Sequence, residues 1–333
     1  MSHPIDRILV IVVSRIGDTL LTTPAIKSIA NHYPNSKITI LTHPKRLEVI
    51  SNLDFVHSYG KISKRSAFLK GWFGKEFDLA FVYSQDSQLL EYAFRVSQKV
   101  ISYKNKLETI NKRLFAPVEP TKEEAKTSVD SMMSLPRFLG IEKTCNRLLF
   151  EVTDSEKKFA NDLLFSHRIK NKFLVGLQCV SFPTKSFRDW PLESFLELCR
   201  KIVDINPDSH FLLYGGSDPI EEKKNEWLKS HLGTSATLLT GLSIRKTAAI
   251  MSRTNLYIGV DTGPSHIMSS FDIPMLVLYH CLYKDFNVGT SGHPYLETIN
   301  LETTECTDKK SMSEISVKRV FDKIKKYLIN AKD

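Results

Sequence analysis

The stretch Leu256-Tyr257-Ile258-Gly259-Val260-Asp261-Thr262-Gly263-Pro264-Ser265-His266-Ile267-Met268-Ser269-Ser270 decides the fold. Its first five residues are apolar, β-branched or aromatic, and read as a buried strand. Asp261 and Thr262 are good helix N-cap residues, and Pro264 suits a first helical turn because its missing N–H would be unpaired there. Ile267, Met268 and Phe271 then supply an apolar helical face. The pattern is strand, tight turn, helix. Free N–H groups and the positive end of a helix dipole beyond a strand's carboxyl end favour an anion. Gly263 lets a ligand approach the backbone, and His266 adds a donor one turn in. The competing reading is a helix start in which Asp261 bonds its own backbone and His266 is a surface side chain.

Outward from this stretch the chain alternates strands and helices. Residues 7–13, 37–42 and 80–83 read as strands of a first unit, with helices over 19–30 and 45–51. Residues 153–168 read as a charged helix bridging to a second unit. That unit has strands at 173–179, 210–214, 236–239, 256–260 and 274–279, and helices at 195–203, 221–231 and 244–251. Residues 104–126 are polar and read as loops. An amphipathic helix over 317–329 closes the chain. Strands apolar on both faces that alternate with helices predict parallel sheets covered on both sides. The expected architecture is α/β, with two Rossmann-like domains facing each other across a cleft. The domains are expected at 1–165 and 166–312, with a C-terminal helix in 313–333 packing back on the first.

The 333 residues carry a net charge of +9. Residues 1–150 hold 22 Lys and Arg against 14 Asp and Glu, so +8 of that excess lies in the first half. A basic half implies an acidic partner: nucleic acid, an anionic membrane surface or a phosphorylated substrate. Residues 61–77 interleave Lys61, Lys64, Arg65, Lys70 and Lys75 with Phe68, Leu69, Trp72, Phe73 and Phe77. They read either as a solvated face over core aromatics or as an interfacial segment that meets a phosphorylated lipid. No nucleic-acid-binding motif accompanies the charge. The five cysteines are scattered without a C-x-x-C pair, which argues against zinc and a disulfide scaffold and fits a reducing compartment. No secretory signal or spanning segment is expected. Neither G-x-G-x-x-G nor G-x4-G-K-[ST] occurs, which disfavours a nicotinamide oxidoreductase and a P-loop NTPase.

Four further motifs lie at expected strand ends. Gly17-Asp18 follows the first strand; glycine clears space for a substrate, and the carboxylate suits a general base. Asp18 could equally cap a helix starting at Thr19. Ser181–Pro191, with Thr184, Lys185 and Arg188, sets hydroxyls and cations where a diphosphate leaving group could be neutralised. Gly215-Gly216-Ser217-Asp218 offers an acid for a ribose diol. Thr240-Gly241-Leu242-Ser243 is a turn before the helix leading to the opening stretch.

Together these resemble glycosyltransferase family 9, the ADP-heptose:lipopolysaccharide heptosyltransferases. The likeness rests on Gly17-Asp18 with Pro24-Ala25, Arg188-Asp189-Trp190-Pro191, Gly215–Asp218 and Asp261-Thr262-Gly263-Pro264-Ser265-His266, and spans about residues 7–315. Arg188 stands where the family usually has Lys, and His280–Lys284 departs from the family's Gly-x-Thr pattern. The resemblance implies a GT-B fold and inverting, metal-free transfer from a nucleotide-diphosphate sugar, ADP-heptose, without a cofactor. The acceptor is a phosphorylated lipopolysaccharide core at the cytoplasmic face of the anionic inner membrane. It makes Asp18 the catalytic base. Donor contacts fall to Ser181, Thr184, Lys185, Arg188, Asp218, Asp261, Thr262, Gly263 and His266, and acceptor contacts to Gly17, Lys61, Lys64, Arg65 and Lys70. The alternatives are a relative using another nucleotide sugar, or a nucleotide- or lipid-binding module without turnover.

Overall fold

In the computed structural model, which describes residues 4–283 and 292–329, the chain forms two compact units. The first runs to Glu151, with Gly292 returning to it; the second starts at Val152. Each holds one six-stranded, wholly parallel sheet.

The first sheet contains β1 (Arg7–Val12), β2 (Lys37–Thr42), β3 (Ser58–Lys61), β4 (Phe77–Val82), β5 (Ser97–Tyr103) and β6 (Ala116–Val118), in the order β3-β2-β1-β4-β5-β6. The second contains β7 (Phe173–Gln178), β8 (Ser209–Gly215), β9 (Ala236–Thr240), β10 (Leu256–Val260), β11 (Met275–Tyr279) and β12 (Leu296–Asn300), in the order β12-β11-β10-β7-β8-β9. Both orders are the doubly wound one. The chain reverses between β1 and β4 in the first sheet and between β7 and β10 in the second, and ligands in such sheets bind outside the carboxyl ends of the strands at that reversal. The α/β expectation of two Rossmann-like sheets therefore holds. β1, β7, β10 and β11 are buried on both faces, as parallel strands between helical layers must be.

Three boundaries differ from the sequence reading. The first helix is two helices, Ile16–Leu21 and Thr23–His32, broken at Thr22. Pro24 sits in the first turn of the second, where it removes no helical hydrogen bond, and the Thr22 and Thr23 hydroxyls bond back to the Thr19 and Leu20 carbonyls. The unit boundary falls at 151/152, not 165/166, so the helix Asp154–Ser166 belongs to the second unit. Thr153 and Glu156 form its capping box, and Glu156 also takes a bidentate ion pair from Arg245 on the helix Ile244–Met251. The C-terminal helix Val317–Ile329, expected on the first unit, belongs to the second. It buries Val317, Val320, Ile324 and Leu328 in the core of the second, against the helix Leu192–Ile205. Trp190 anchors the approach by donating to the Ile315 carbonyl at 2.9 Å.

The cysteine reading also needs correction. Cys281 and Cys306 form a disulfide, with Cα atoms 5.8 Å apart. They stand 25 positions apart, so no short motif announces the pair.

Candidate active site

The reversal point of the second sheet lies where β7 and β10 end. β7 runs into the loop carrying Ser181, Thr184, Lys185 and Arg188, and β10 into Asp261. An ion pair joins the two loops: Arg188 Nη1 donates to Asp261 Oδ2 at 2.7 Å and to the Asp261 carbonyl at 3.2 Å. The side chains are 14% and 6% exposed, respectively. Asp261 is therefore not a helix cap; Thr262 holds that position, without a side-chain capping bond. Among the described residues, Arg188 Nε is buried with no hydrogen-bond partner. One donor of this guanidinium is therefore left without a partner among the described residues at the reversal point.

The cationic cluster continues through Tyr283. Its ring lies 3.8 Å from the Arg188 guanidinium carbon, and Lys185 Nζ donates to its hydroxyl at 3.2 Å. The Lys185 hydrogen bond first, and then Arg188, pull the phenol below its ordinary range. Phe187 stacks on Tyr283 from the same loop. Thr184 is exposed within the 3-10 stretch Pro183–Arg188, whereas Ser181 is buried and spends its hydroxyl on the Lys185 carbonyl. Asp189 braces the loop: it accepts from the Ser181 N–H and pairs with Lys224, both at 2.7 Å.

The signature helix is shorter than the sequence suggests, Gly263–Met268, and ends before Phe271. Its dipole is correspondingly small, and the cations beside it dominate the electrostatics. Tyr257 fixes its position. The ring lies across Gly259, where an added Cβ would fall 2.6 Å from the phenolic oxygen, and that oxygen bonds Ser265 at 2.9 Å. Ser265 in turn donates to the Val260 carbonyl. His266 is buried rather than a surface side chain, its Nε2 3.9 Å from Asp261 Oδ1.

Asp218 does something other than expected. Its Oδ1 caps the helix Pro219–Leu232 by accepting from the Ile220 and Glu221 N–H groups. The acid that faces Gly216 is Glu221, which sequence reading missed. A Cβ on Gly216 would come 3.0 Å from Glu221 Oε2, and Gln178 Nε2 at the end of β7 reaches Glu221 Oε1 at 3.3 Å. Burial raises its pKa above the ordinary carboxyl range, with Asp218 and Asp189 adding to the effect. The available signal was its place three residues after the Gly-Gly-x-Asp turn, one helical turn in.

In the first unit, Gly17 and Asp18 follow β1 at the equivalent reversal point. The helix begins at Ile16 with Arg15 as N-cap, so Asp18 lies in the first turn and is not the cap. Its side chain is exposed and makes no hydrogen bond or ion pair with any described residue. The helix Lys64–Leu69 follows β3. Lys64 pairs with Asp86 at 2.9 Å and Lys70 Nζ donates to the Lys61 carbonyl, while Arg65 is exposed. The aromatics of this segment are not core. Phe68, Leu69, Trp72 and Phe73 all face solvent, Phe73 at 98% exposure, and only Phe77 is buried, as the first residue of β4. Arg95 stacks on Trp72 at 4.5 Å.

One grouping of potential metal ligands forms where the sequence offers no ligand spacing. Atoms of His280, Cys281 and Cys306 lie within 4.8 Å of one another, but the two sulfurs are bonded to each other.

The profile of glycosyltransferase family 9 (heptosyltransferase) matches residues 75–314, and the chain belongs to that family; it is a glycosyltransferase. It is similar to the lipopolysaccharide core heptosyltransferase OpsX of Haemophilus influenzae, at 20% identity over 285 residues, 80% of this chain and 76% of that protein. Among solved structures it resembles a family 9 glycosyltransferase of Veillonella parvula (TM-score 0.82, 19% identity, 98% of this chain and 99% of that one). It also resembles the ADP-heptose lipopolysaccharide heptosyltransferase II of E. coli (TM-score 0.81, 16% identity, 98% and 100%).

Proposed function

We propose that this enzyme transfers a heptose, with inversion, from ADP-heptose to a phosphorylated lipopolysaccharide inner-core acceptor. The observation that carries the reading is the Arg188–Asp261 pair at the reversal point of the second sheet, with Lys185 and Tyr283 beside it. It sets two cations where a diphosphate leaving group needs charge neutralised. The acceptor oxygen attacks the anomeric carbon as the bond to the diphosphate breaks. The electron pair leaves with ADP, and the acceptor proton passes to Asp18. Thr184, Thr262, Gly263 and His266 complete the donor shell, and Glu221, in place of the capping Asp218, accepts from the ribose hydroxyls. Ser181 and Asp189 shape the loop. The second unit holds the donor and the first the acceptor.

With two cationic side chains at the diphosphate, no divalent ion is required. The exposed aromatic and basic segment around Phe68–Phe73 supports binding at an anionic membrane face through Lys61, Lys64, Arg65 and Lys70. Among the described residues no helix is long and apolar enough to cross a membrane.

The test is a thermal-shift panel of ADP, UDP, GDP and CDP, each with and without EDTA. A cognate nucleotide at a hundred times its Kd stabilises the fold by about 2.7 kcal/mol. ADP is expected to give the largest shift, unchanged by EDTA. A larger shift with another nucleotide assigns a different donor, and a shift that EDTA abolishes refutes metal independence.

A further inference from the structure

The Cys281–Cys306 disulfide lies next to the donor site, and no step of transfer uses it. Cys281 is the second residue after β11, at the carboxyl edge of the sheet, and Tyr283 is two residues further on. A tight turn closes this stretch, with the Tyr283 N–H donating to the His280 carbonyl at 2.8 Å. The other sulfur belongs to residues 301–310, which follow β12 without regular structure. That loop is tied to the β11 end at three points: the Leu301 N–H to the Tyr279 carbonyl, the disulfide, and His280 Nε2 to the Lys310 carbonyl at 3.1 Å. Removing the covalent tie leaves the other two of these ties between the loop and the β11 end, beside the turn's own bonds and the contacts of Phe187 with His280 and Tyr283.

The surroundings suit exchange. Cys306 is not buried, whereas Cys281 is. An attacking thiolate therefore meets Cys306 and expels Cys281, since access decides which sulfur is attacked. His280 lies beside the leaving sulfur, which departs as a thiolate and takes its proton from solvent. The Lys310 carbonyl can only accept, so Nε2 carries the ring proton and Nδ1 the lone pair. Nδ1 sits 3.7 Å from Cys281 Sγ and also accepts from the Leu282 N–H at 3.3 Å. Once protonated, the Cys281 thiol can donate to it.

We infer that Cys281–Cys306 is a reversible thiol–disulfide site whose state sets nucleotide-diphosphate affinity through Tyr283. In the exchange a dithiol reductant gives up two electrons and two protons and becomes a disulfide, while the Cys281–Cys306 bond becomes two thiols. The oxidised state holds Tyr283 on Arg188 and Lys185 and keeps both cations in register. The reduced state loosens the turn and weakens the diphosphate contact, leaving nucleoside recognition at Glu221 untouched. This inference rests on the donor reading above.

The experiment is calorimetry of ADP and of adenosine on the full-length protein, oxidised with oxidised glutathione or reduced with dithiothreitol, with the pairing verified by mass spectrometry. Reduction is expected to weaken ADP about five- to tenfold and leave adenosine unchanged. Cys306→Ser is expected to bind ADP like the reduced wild type under both conditions, with its melting curve confirming the fold. Equal ADP affinity in the two wild-type states overturns the inference. So does a Cys306→Ser protein that still responds to reductant, since Cys145, Cys179 or Cys199 would then be responsible. Failure of oxidised glutathione to pair Cys281 with Cys306 overturns it as well. Arg188→Ala in the oxidised protein separates the two levels. ADP affinity lowered by that change, with wild-type affinity indifferent to reductant, overturns this inference alone; ADP affinity unmoved by it overturns the donor reading and this inference with it.

Discussion

Replacing Arg188 tests the proposed donor site most sharply, because the ion pair it makes and the diphosphate contact proposed for it have separable costs. The first is structural. Arg188 Nη1 holds Asp261 Oδ2 at 2.7 Å, and both side chains are largely withdrawn from water. Removing one member of a buried pair costs about 3–5 kcal/mol. Arg188 keeps 14% of its surface in solvent, so Arg188→Ala is expected at about 3 kcal/mol. At roughly 2–4 °C per kcal/mol for a unit of this size, melting falls by about 6–12 °C. The second is binding. In the proposed site, a charge-assisted hydrogen bond from the guanidinium to a diphosphate is worth about 1.5–3 kcal/mol. Each 1.4 kcal/mol is tenfold, so ADP affinity drops about ten- to hundredfold. Adenosine, which lacks the phosphates, keeps its affinity. Arg188→Lys retains the charge and restores the residue usual in the family, so its loss is expected below tenfold. Calorimetry of ADP and adenosine on the two variants, below their melting points, gives all four numbers. Equal losses for ADP and adenosine, or an ADP affinity unmoved by Arg188→Ala, refute the reasoning.

Glu221→Gln should weaken ADP about tenfold, while Asp218→Asn, which still caps its helix, should change it by less than twofold; the reverse ranking in the same titration returns the ribose role to Asp218. Neutralising Lys64, Arg65 and Lys70 together should weaken co-sedimentation with anionic vesicles about tenfold at low salt. That is less than the roughly 1 kcal/mol per residue of free cations would give, because Lys64 already pairs with Asp86 and Lys70 with the Lys61 carbonyl. Vesicle binding unchanged by the triple variant, or by Phe68→Ser with Phe73→Ser, makes the segment ordinary surface. Arg245's hydrogen bonds hold the Glu156 carboxyl at about 2, below its ordinary value of 4.5. A depressed carboxyl pKa stabilises the fold fully above the unfolded value, so this contribution is present above about pH 4.5 and lost as pH falls toward 2. Urea melts of wild type and Glu156→Gln at pH 7 and pH 3 should differ less at the lower pH; a constant gap contradicts this.

The sequence made the strands nearest the site legible because they are buried on both faces. β1, β7, β10 and β11 read as unbroken apolar runs, and their carboxyl ends carry the motifs. The strands it missed lie away from the sheet centres. β3 (Ser-Tyr-Gly-Lys) and β12 are edge strands with half-exposed residues, β6 is three residues around Pro117, and β5 opens with exposed Gln98 and Lys99. Their pairing comes from tertiary context, not from local pattern. Within the site, residue types were readable but not their employment. Nothing local distinguishes an Asp218 that caps from a Glu221 that faces the glycine turn, or an Asp261 that caps from one that takes a guanidinium across two loops. The disulfide was invisible for the same reason: its halves lie at the ends of different strands.

In the proposed reaction Asp18 activates the acceptor for attack on a bound nucleotide sugar. Its carboxylate is exposed in the first turn after β1 and takes no hydrogen bond or ion pair from a described residue. The direct measurement is acceptor-dependent ADP release from ADP-heptose by wild type and Asp18→Asn, with ADP affinity measured on the same preparations. The account predicts that the variant binds ADP as wild type does and releases it about 10²–10⁴ times more slowly. A folded Asp18→Asn enzyme that turns over at the wild-type rate contradicts it.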